Sequence, residues 1–314
     1  MKKSLISLAI GTVLGLSAAA SFASPVRLNN GIDFGPNLST STSDIDSFAF
    51  NDTVATSFYF PTTSAGIVPG TAVIDTNISS LMTSLGFTAG AKTTLGSTLI
   101  NVAFPTSPTG INVNTVSQLN PVAPVVDKNG FVSGEESAYG AALAGGNVWG
   151  LTYQYQLNGV VTASDVSYTS GFFDLFYNDG TVSQQVLRLN VLGSAFSGVS
   201  LTLRGTASFD WTGDAIADGG AFAQNFWDDA RPGASTFFAD WVADPDSIKW
   251  TLNTAVTPPL PLPNQLFVSG TALARQSTLD GNLVFSVPEP GSLALLGLAL
   301  AGLGLAQRRR KQAK

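Results

Sequence analysis

From Val199 to Trp211 the chain reads VSLTLRGTASFDW, and for thirteen residues it alternates. Val199, Leu201, Leu203, Ala207, Phe209 and Trp211 fall on one side; Ser200, Thr202, Arg204, Thr206, Ser208 and Asp210 fall on the other. Successive side chains of a strand point to opposite faces, so a period of two means one face in a core and one in water. A helix would spread the same apolar residues around its whole circumference. The segment WGLTYQYQL repeats the pattern, with Trp149, Leu151, Tyr153, Tyr155 and Leu157 opposed to Thr152, Gln154 and Gln156. Leu187/Leu189/Val191, Ile248/Trp250/Leu252 and Leu283/Phe285 are shorter cases. Asn-Asp-Gly at 178–180 joins FFDLFY to TVSQQVLRLNV and predicts a hairpin. Helix is expected only over 134–145 and around 221–229. Half-wet antiparallel strands with short turns predict an all-β chain, folded as an antiparallel, jelly-roll-like β-sandwich.

The two ends of the chain follow other rules. Met1-Lys2-Lys3 is basic, Leu5–Ala20 is apolar, and Ser21 and Ala23 place small residues at −3 and −1 of a signal-peptidase site. This predicts a signal peptide over 1–23, cleaved after Ala23. At the other end, Gly291–Ala306 holds no charge and only Ser292 as a polar side chain. As a helix it would be ~24 Å long, a short membrane span. Arg308, Arg309, Arg310 and Lys311 follow it, and basic residues beside a span stay on the cytoplasmic side. The expected organisation is an exported domain over 24–286 and a tail over 287–314 with one short transmembrane helix.

Val287, Pro288, Glu289 and Pro290, then a glycine- and leucine-rich span, then an Arg cluster, resemble the PEP-CTERM sorting signal of Gram-negative bacteria. The resemblance implies recognition by an exosortase, a membrane-embedded cysteine peptidase that cuts near the motif. It also implies passage through the inner membrane to the cell surface or extracellular matrix of exopolysaccharide-producing, biofilm- or floc-forming cells. A second likeness lies in GFFDLFYNDGT, QQVLRLNVLGS, LTLRGTASFDW and ALARQSTLDGNLVFSVPEP. These are similar to the ectodomains of flocculation-associated PEP-CTERM proteins, which implies a part in holding cells within a polysaccharide matrix.

Charge and composition narrow the chemistry. Residues 24–286 carry eight Lys/Arg against twenty Asp/Glu, a net −12. Nucleic-acid binding needs dense cations to displace counterions, so that partner is excluded. The chain has no Cys and no His. No disulfide can support the exported domain, and Ser-His-Asp, Cys-His and His- or Cys-ligated metal systems are closed to it. No pair of carboxylates stands out from ordinary solvated acids, so the chain is expected to be no enzyme and to need no organic cofactor.

One segment raises a metal question. DKNGFVSGEE (127–136) resembles the second part of an EF-hand loop, with Asp127, Asn129, the Phe131 carbonyl, Ser133 and Glu136 at Ca²⁺-ligand spacings around Gly130. Val125 stands where the first acidic ligand belongs, and PVAPV before it cannot be an entering helix. Two readings stand: an incomplete Ca²⁺ loop, or an Asn-Gly turn leading into a helix capped at Ser133 with Glu136 at N3. The acids Asp210/Asp214/Asp218 and Asp240/Asp244/Asp246 read as solvated loops. Trp211, Trp227 and Trp241 lie among acidic, glycine-rich stretches, where an aromatic ring with nearby Asp or Asn can stack on a sugar, or can simply pack in a core. The expected function is a structural or adhesive surface component. The alternative is a carbohydrate-binding module for exopolysaccharide, assisted or not by calcium.

Overall fold

A computed structural model of the chain describes residues 24–29, 41–42, 44–62, 66–85, 117–122, 150–178, 183–214, 216–230, 235–256, 259–262, 265–269 and 272–286. The strands in chain order are β1 (Val26–Leu28), β2 (Ser47–Phe60), β3 (Ala72–Thr76), β4 (Ser117–Val122), β5 (Gly150–Val161) and β6 (Val166–Asn178). They continue as β7 (Ser183–Ser197), β8 (Ser200–Ser208), β9 (Trp227–Asp229), β10 (Lys249–Ala255), β11 (Phe267–Ser269) and β12 (Ala272–Ser286). Three short helices interrupt them: α1 (Ser79–Ser84), α2 (Gly220–Phe226) and α3 (Phe237–Ala243).

All ladders among these strands are antiparallel, as the alternation required. Ten strands form a single sheet, however, where two stacked sheets were expected. β2, β3, β5, β6, β7, β8, β10 and β12 pair in that order, and β12 then pairs back onto β2 from Leu273↔Tyr59 to Leu283↔Phe48. The sheet therefore closes on itself, in place of the jelly-roll sandwich. A sandwich wall and a barrel wall show the same alternation, so periodicity alone could not separate them. Closure is helped by register shifts at Asn158/Gly159, Leu175/Phe176, Val191/Gly193 and Leu279/Gly281, because bulges bend a strand and increase its twist. Gly205 is the tightest point. A Cβ there would sit 1.7 Å from the Asn190 carbonyl oxygen and 2.9 Å from the Trp250 ring, so only glycine fits.

One stave of the ring has two pieces. β3 pairs with Thr56–Phe60 of β2 and Gln156–Val160 of β5, while β4 pairs with Ser47–Ala49 of β2 and Leu151–Tyr153 of β5. Asn77 stands at the joint. Its side chain accepts from Tyr155 N at 2.7 Å and donates to Tyr153 O at 3.0 Å, as a strand backbone would.

The alternating residues fill the interior. Leu151, Tyr153, Tyr155 and Leu157 of β5, Leu187, Leu189 and Val191 of β7, and Leu201, Leu203 and Ala207 of β8 are all buried in one core. Val199 is 46 % exposed at the β7–β8 turn and Trp211 is half-buried, so the run is internal only from Leu201 to Phe209. β2 went unread because its phase changes. Phe48 and Phe50 are buried in the core before the register shift, and Ala55 and Tyr59 after it. The hairpin expected at 178–180 forms, with β6 and β7 paired up to Asn178↔Ser183; residues 179–182 lie outside the described residues.

The chain enters and leaves at the same end of the barrel, where Ser24 N–H donates to the Phe285 carbonyl at 2.8 Å. The β1–β9 ribbon, α2 and α3 cover that end, and Trp227 is its centre. Its ring packs against Phe48, Phe226, Phe237 and Phe285 at centroid distances of 5.4–6.1 Å, and its Nε1 donates to Val186 O. Such aromatic pairs add about 0.5–1.5 kcal/mol each beyond the area they bury. On the outer wall, Arg188 donates two hydrogen bonds to Asp174 (2.7 and 2.8 Å), lies 4.4 Å from the Phe172 ring centroid, and fastens the loop after β8 through Trp211 O. α1 packs Met82 against Phe58, Ala272 and Ala274 in a second, smaller cluster.

Among the described residues no helix is long and apolar enough to cross a membrane. The expected span, Gly291–Ala306, lies outside them, as does the expected helix over 134–145. The helix expected near 221–229 forms as Gly220–Phe226 and gives way to β9.

Candidate functional site

Of the residues expected to carry function, Ala23, the 127–136 segment with Asp127, Asn129, Phe131, Ser133 and Glu136, the motif Val287–Pro290 and the basic Arg308, Arg309, Arg310 and Lys311 lie outside the described residues. The three tryptophans lie within them and separate. Trp227 is core. Trp211 is half-buried over Gly219, where an added Cβ would come within 2.7 Å of its ring. Trp241 lines an open groove.

That groove runs between α3 and the outer faces of β7 and β8, with a volume of ≈ 650 Å³. Thr236 starts α3 by accepting the Ala239 N–H in an extended N-cap, and Asp240 in the first turn favours the helix dipole. The helix sets Trp241 and Phe238 nearly parallel, 6.1 Å apart, and both pack on Phe209 at the end of β8. Facing these rings are Asn190, Thr206, Ser208, Asp210 and Asp246. An aromatic plate beside hydroxyl, amide and carboxylate groups offers an apolar surface for one face of a pyranose, with partners for its hydroxyls at the rim. Sequence reading offered Trp241 as a stacking candidate and took Asp210 and Asp246 for solvated loop acids. It missed Phe238 and the outward polar side chains of β7 and β8, whose signal was the polar phase of the alternation, shielded here by a helix that the Thr236 cap could have revealed.

Asp210, Asp214 and Asp218 each serve their own loop. Asp210 accepts from Gly213 N (2.6 Å), Asp214 from Ile216 N (3.0 Å), and Asp218 from Trp211 N and Thr212 N (2.7 and 2.9 Å). Partial burial works against the Asp218 anion, but those amides, with the Thr212 hydroxyl, hold its carboxyl below the usual range. Among the described residues no three acids converge as a metal site.

A second constellation lies inside the barrel, near the end away from the termini. Asp75 of β3 is fully enclosed and accepts hydrogen bonds from Ser57 Oγ (2.6 Å), Tyr155 OH (2.7 Å) and Tyr168 OH (3.2 Å). Burial pushes its carboxyl up; the three hydroxyls and the Arg275 charge only partly offset it. Arg275 of β12 is 3 % exposed. Burial also raises Tyr59 to about 12 despite the adjacent Arg275 charge, and lifts Tyr155 and Tyr168 well above the usual phenol range. Sequence reading passed over both charges. Asp75 sits in AVIDT, where three consecutive apolar residues hide which face is internal.

The last strand, β12, stops at Ser286. A family model for the PEP-CTERM protein-sorting motif matches residues 286–311. The chain carries a PEP-CTERM sorting signal. The match covers the motif, the apolar stretch and the basic cluster, and it implies export, membrane-anchored processing by an exosortase, and release to the surface. No curated protein and no solved structure matches this PEP-CTERM protein. The family-model match lies within the tail, and the barrel is read from its own chemistry.

Proposed function

We propose that this PEP-CTERM protein is a surface or matrix adhesin of a Gram-negative bacterium, and that its barrel grips the cell's own exopolysaccharide in biofilms or flocs. The signal peptide and exosortase tail deliver it: signal peptidase cuts after Ala23, and the span with Arg308–Lys311 holds the intermediate in the inner membrane until processing. The observation that carries the binding part is the groove beneath Trp241, with its paired rings and five polar side chains along an open, ≈ 650 Å³ channel. A net −12 on the exported domain suits a neutral or cation-bridged glycan better than a bare polyanion.

The groove is read as binding without cleavage. Glycoside hydrolysis needs two carboxylates converging about 5–10 Å apart on one bond. Asp210 already spends an oxygen on the Gly213 amide, and Asp246 lies on the exposed turn after α3. The test is co-sedimentation of the full-length protein in nanodiscs with exopolysaccharide purified from the producing cells. Wild type should sediment, and Trp241→Ala and Asn190→Ala should each lose at least about 80 % of it, the loss expected when 1–3 kcal/mol of stacking or paired polar contact is removed. Equal retention by wild type and Trp241→Ala would reject the groove as the site.

A further inference from the structure

We propose that the groove beneath Trp241 selects a polysaccharide bearing free amino groups, with a protonated hexosamine ring seated against its carboxylates. The inference rests on the glycan-binding reading of that groove and narrows it to one charge class. Its ≈ 650 Å³ lies within the range of clefts that hold small ligands. Asp210 and Asp246 stand on its lining, and among the described residues no lysine or arginine does.

The floor comes from the outward phase of two paired strands. Asn190 of β7 and Thr206 of β8 are direct partners in the ladder, so their side chains stand together on the outer face. Thr206 is 5 % exposed, yet among the described residues its hydroxyl has no hydrogen-bond partner, and neither has the Asn190 amide. A buried hydroxyl left unpaired costs free energy, so this one stands ready for a partner outside the chain. Ser208 differs, because its hydroxyl donates to Asp210 O and accepts from Asp210 N (3.0 and 3.1 Å). Asn190 and Thr206 together offer donors and acceptors to the hydroxyls of a sugar ring.

The walls set the sign of the charge. Trp241 and Phe238 line the groove, and the face of an indole attracts a cation within about 6 Å of its centre. Asp246 is exposed on the turn after α3, and among the described residues its carboxylate has no hydrogen-bond partner, which leaves it open to an ammonium. Asp210, which accepts from Gly213 N at 2.6 Å, is the second anion. The cations nearest in the ladder do not cancel these two. Arg188, opposite Ser208, is held by Asp174 and the Trp211 carbonyl. Lys249, opposite Thr206, is exposed and stands outside the lining. A carboxylated or sulfated glycan would meet like charge on both walls. The net −12 of the exported domain adds a long-range field that draws a polycation.

The test is calorimetric titration of the full-length protein in nanodiscs of neutral lipid, with empty nanodiscs as blank. The probes are equally long and equally linked oligomers of glucosamine, N-acetylglucosamine and glucose, at about pH 5.5, between the ordinary carboxylate and amine ranges. The glucosamine oligomer should bind at least about tenfold more tightly than either neutral one, the ratio expected from one added ion pair and one cation–ring contact. Asp246→Asn, on an exposed turn, should erase that preference, and so should about 1 M salt. Trp241→Ala should weaken all three. Asp165→Asn at the β5–β6 turn removes the same charge outside the groove and should bind as wild type. Equal binding of the three oligomers overturns the proposal, as does full binding by Asp246→Asn or an equal loss in Asp165→Asn. Absence of glucosamine binding overturns it too. If exopolysaccharide sedimentation then still depends on Trp241, the groove reading stands without this charge class; if it does not, the groove reading falls as well.

Discussion

Where the chain enters and leaves the barrel, Trp227, Phe48, Phe226, Phe237 and Phe285 stack ring on ring with every member buried; at the far end, Asp75, Arg275 and three tyrosines surround a cavity. Both ends are buried, yet with different chemistry. The aromatic end contributes transfer free energy and dispersion, and it ties Ser24 to Phe285 so that both termini leave together. The polar end keeps Asp75 and Arg275 out of water, and for Asp75 three hydroxyl partners and the Arg275 charge partly offset that cost. One sheet therefore closes one end with apolar rings and, near the other, encloses Asp75 and Arg275.

The contrast can be broken most strongly at the aromatic end. Trp227→Ala removes four ring contacts and leaves a void, and should cost about 3–5 kcal/mol in chemical denaturation. A loss under about 1 kcal/mol would mean that the cap is not what closes this end.

At the polar end Arg275→Met should cost about 3 kcal/mol at pH 7, because it removes the buried charge that helps to offset the desolvation of the Asp75 carboxylate. Its carboxyl is raised in the folded state, so the stability linked to its protonated form is full below the unfolded value and is lost as pH rises through the folded one. The deficit of the variant should therefore shrink as pH is lowered toward 4. Denaturation at both pH values checks this, and a deficit independent of pH would remove Asp75 from the explanation.

Between the ends, Gly205→Ala forces a methyl into the Asn190 carbonyl and should cost about 2 kcal/mol through backbone displacement, read as a lower melting temperature. On the outer wall, Trp241→Ala should cost only about 1 kcal/mol, since that ring is half-buried, yet lose polysaccharide binding. A larger stability loss with binding intact would return Trp241 to the core. The smallest effect is expected from calcium. With Val125 in place of an acidic ligand, about 10 mM calcium should leave the melt of wild type unmoved. A rise that Glu136→Gln abolishes would make 127–136 a Ca²⁺ loop after all.

Much of the wall was legible because half-wet strands write their faces in alternation: Leu151 to Leu157, Leu187 to Val191 and Leu201 to Phe209 all lie where the pattern put them. Closure was not legible. It depends on β2 pairing with β12 more than two hundred residues away, and on a register shift that moves the buried phase of β2 from Phe50 to Ala55. Periodicity also misses internal charges, since Asp75 and Arg275 occupy core-facing positions that a polar residue ordinarily marks as outward. Little of the groove was visible: Trp241 showed in the sequence, while Asp210 and Asp246 read as solvated loop acids and Asn190, Thr206 and Ser208 join them only where α3 lies across β7 and β8. The tail needed no fold at all, because three chemically distinct pieces in fixed order identify it.

Sorting is the claim on which the proposed function depends, and the intact mass of the protein released from the surface of exosortase-bearing cells tests it most directly. The expected species begins at Ser24 and lacks everything beyond the Pro288–Gly291 region. Recovery only of protein with the complete tail, retained in the inner membrane, would contradict it.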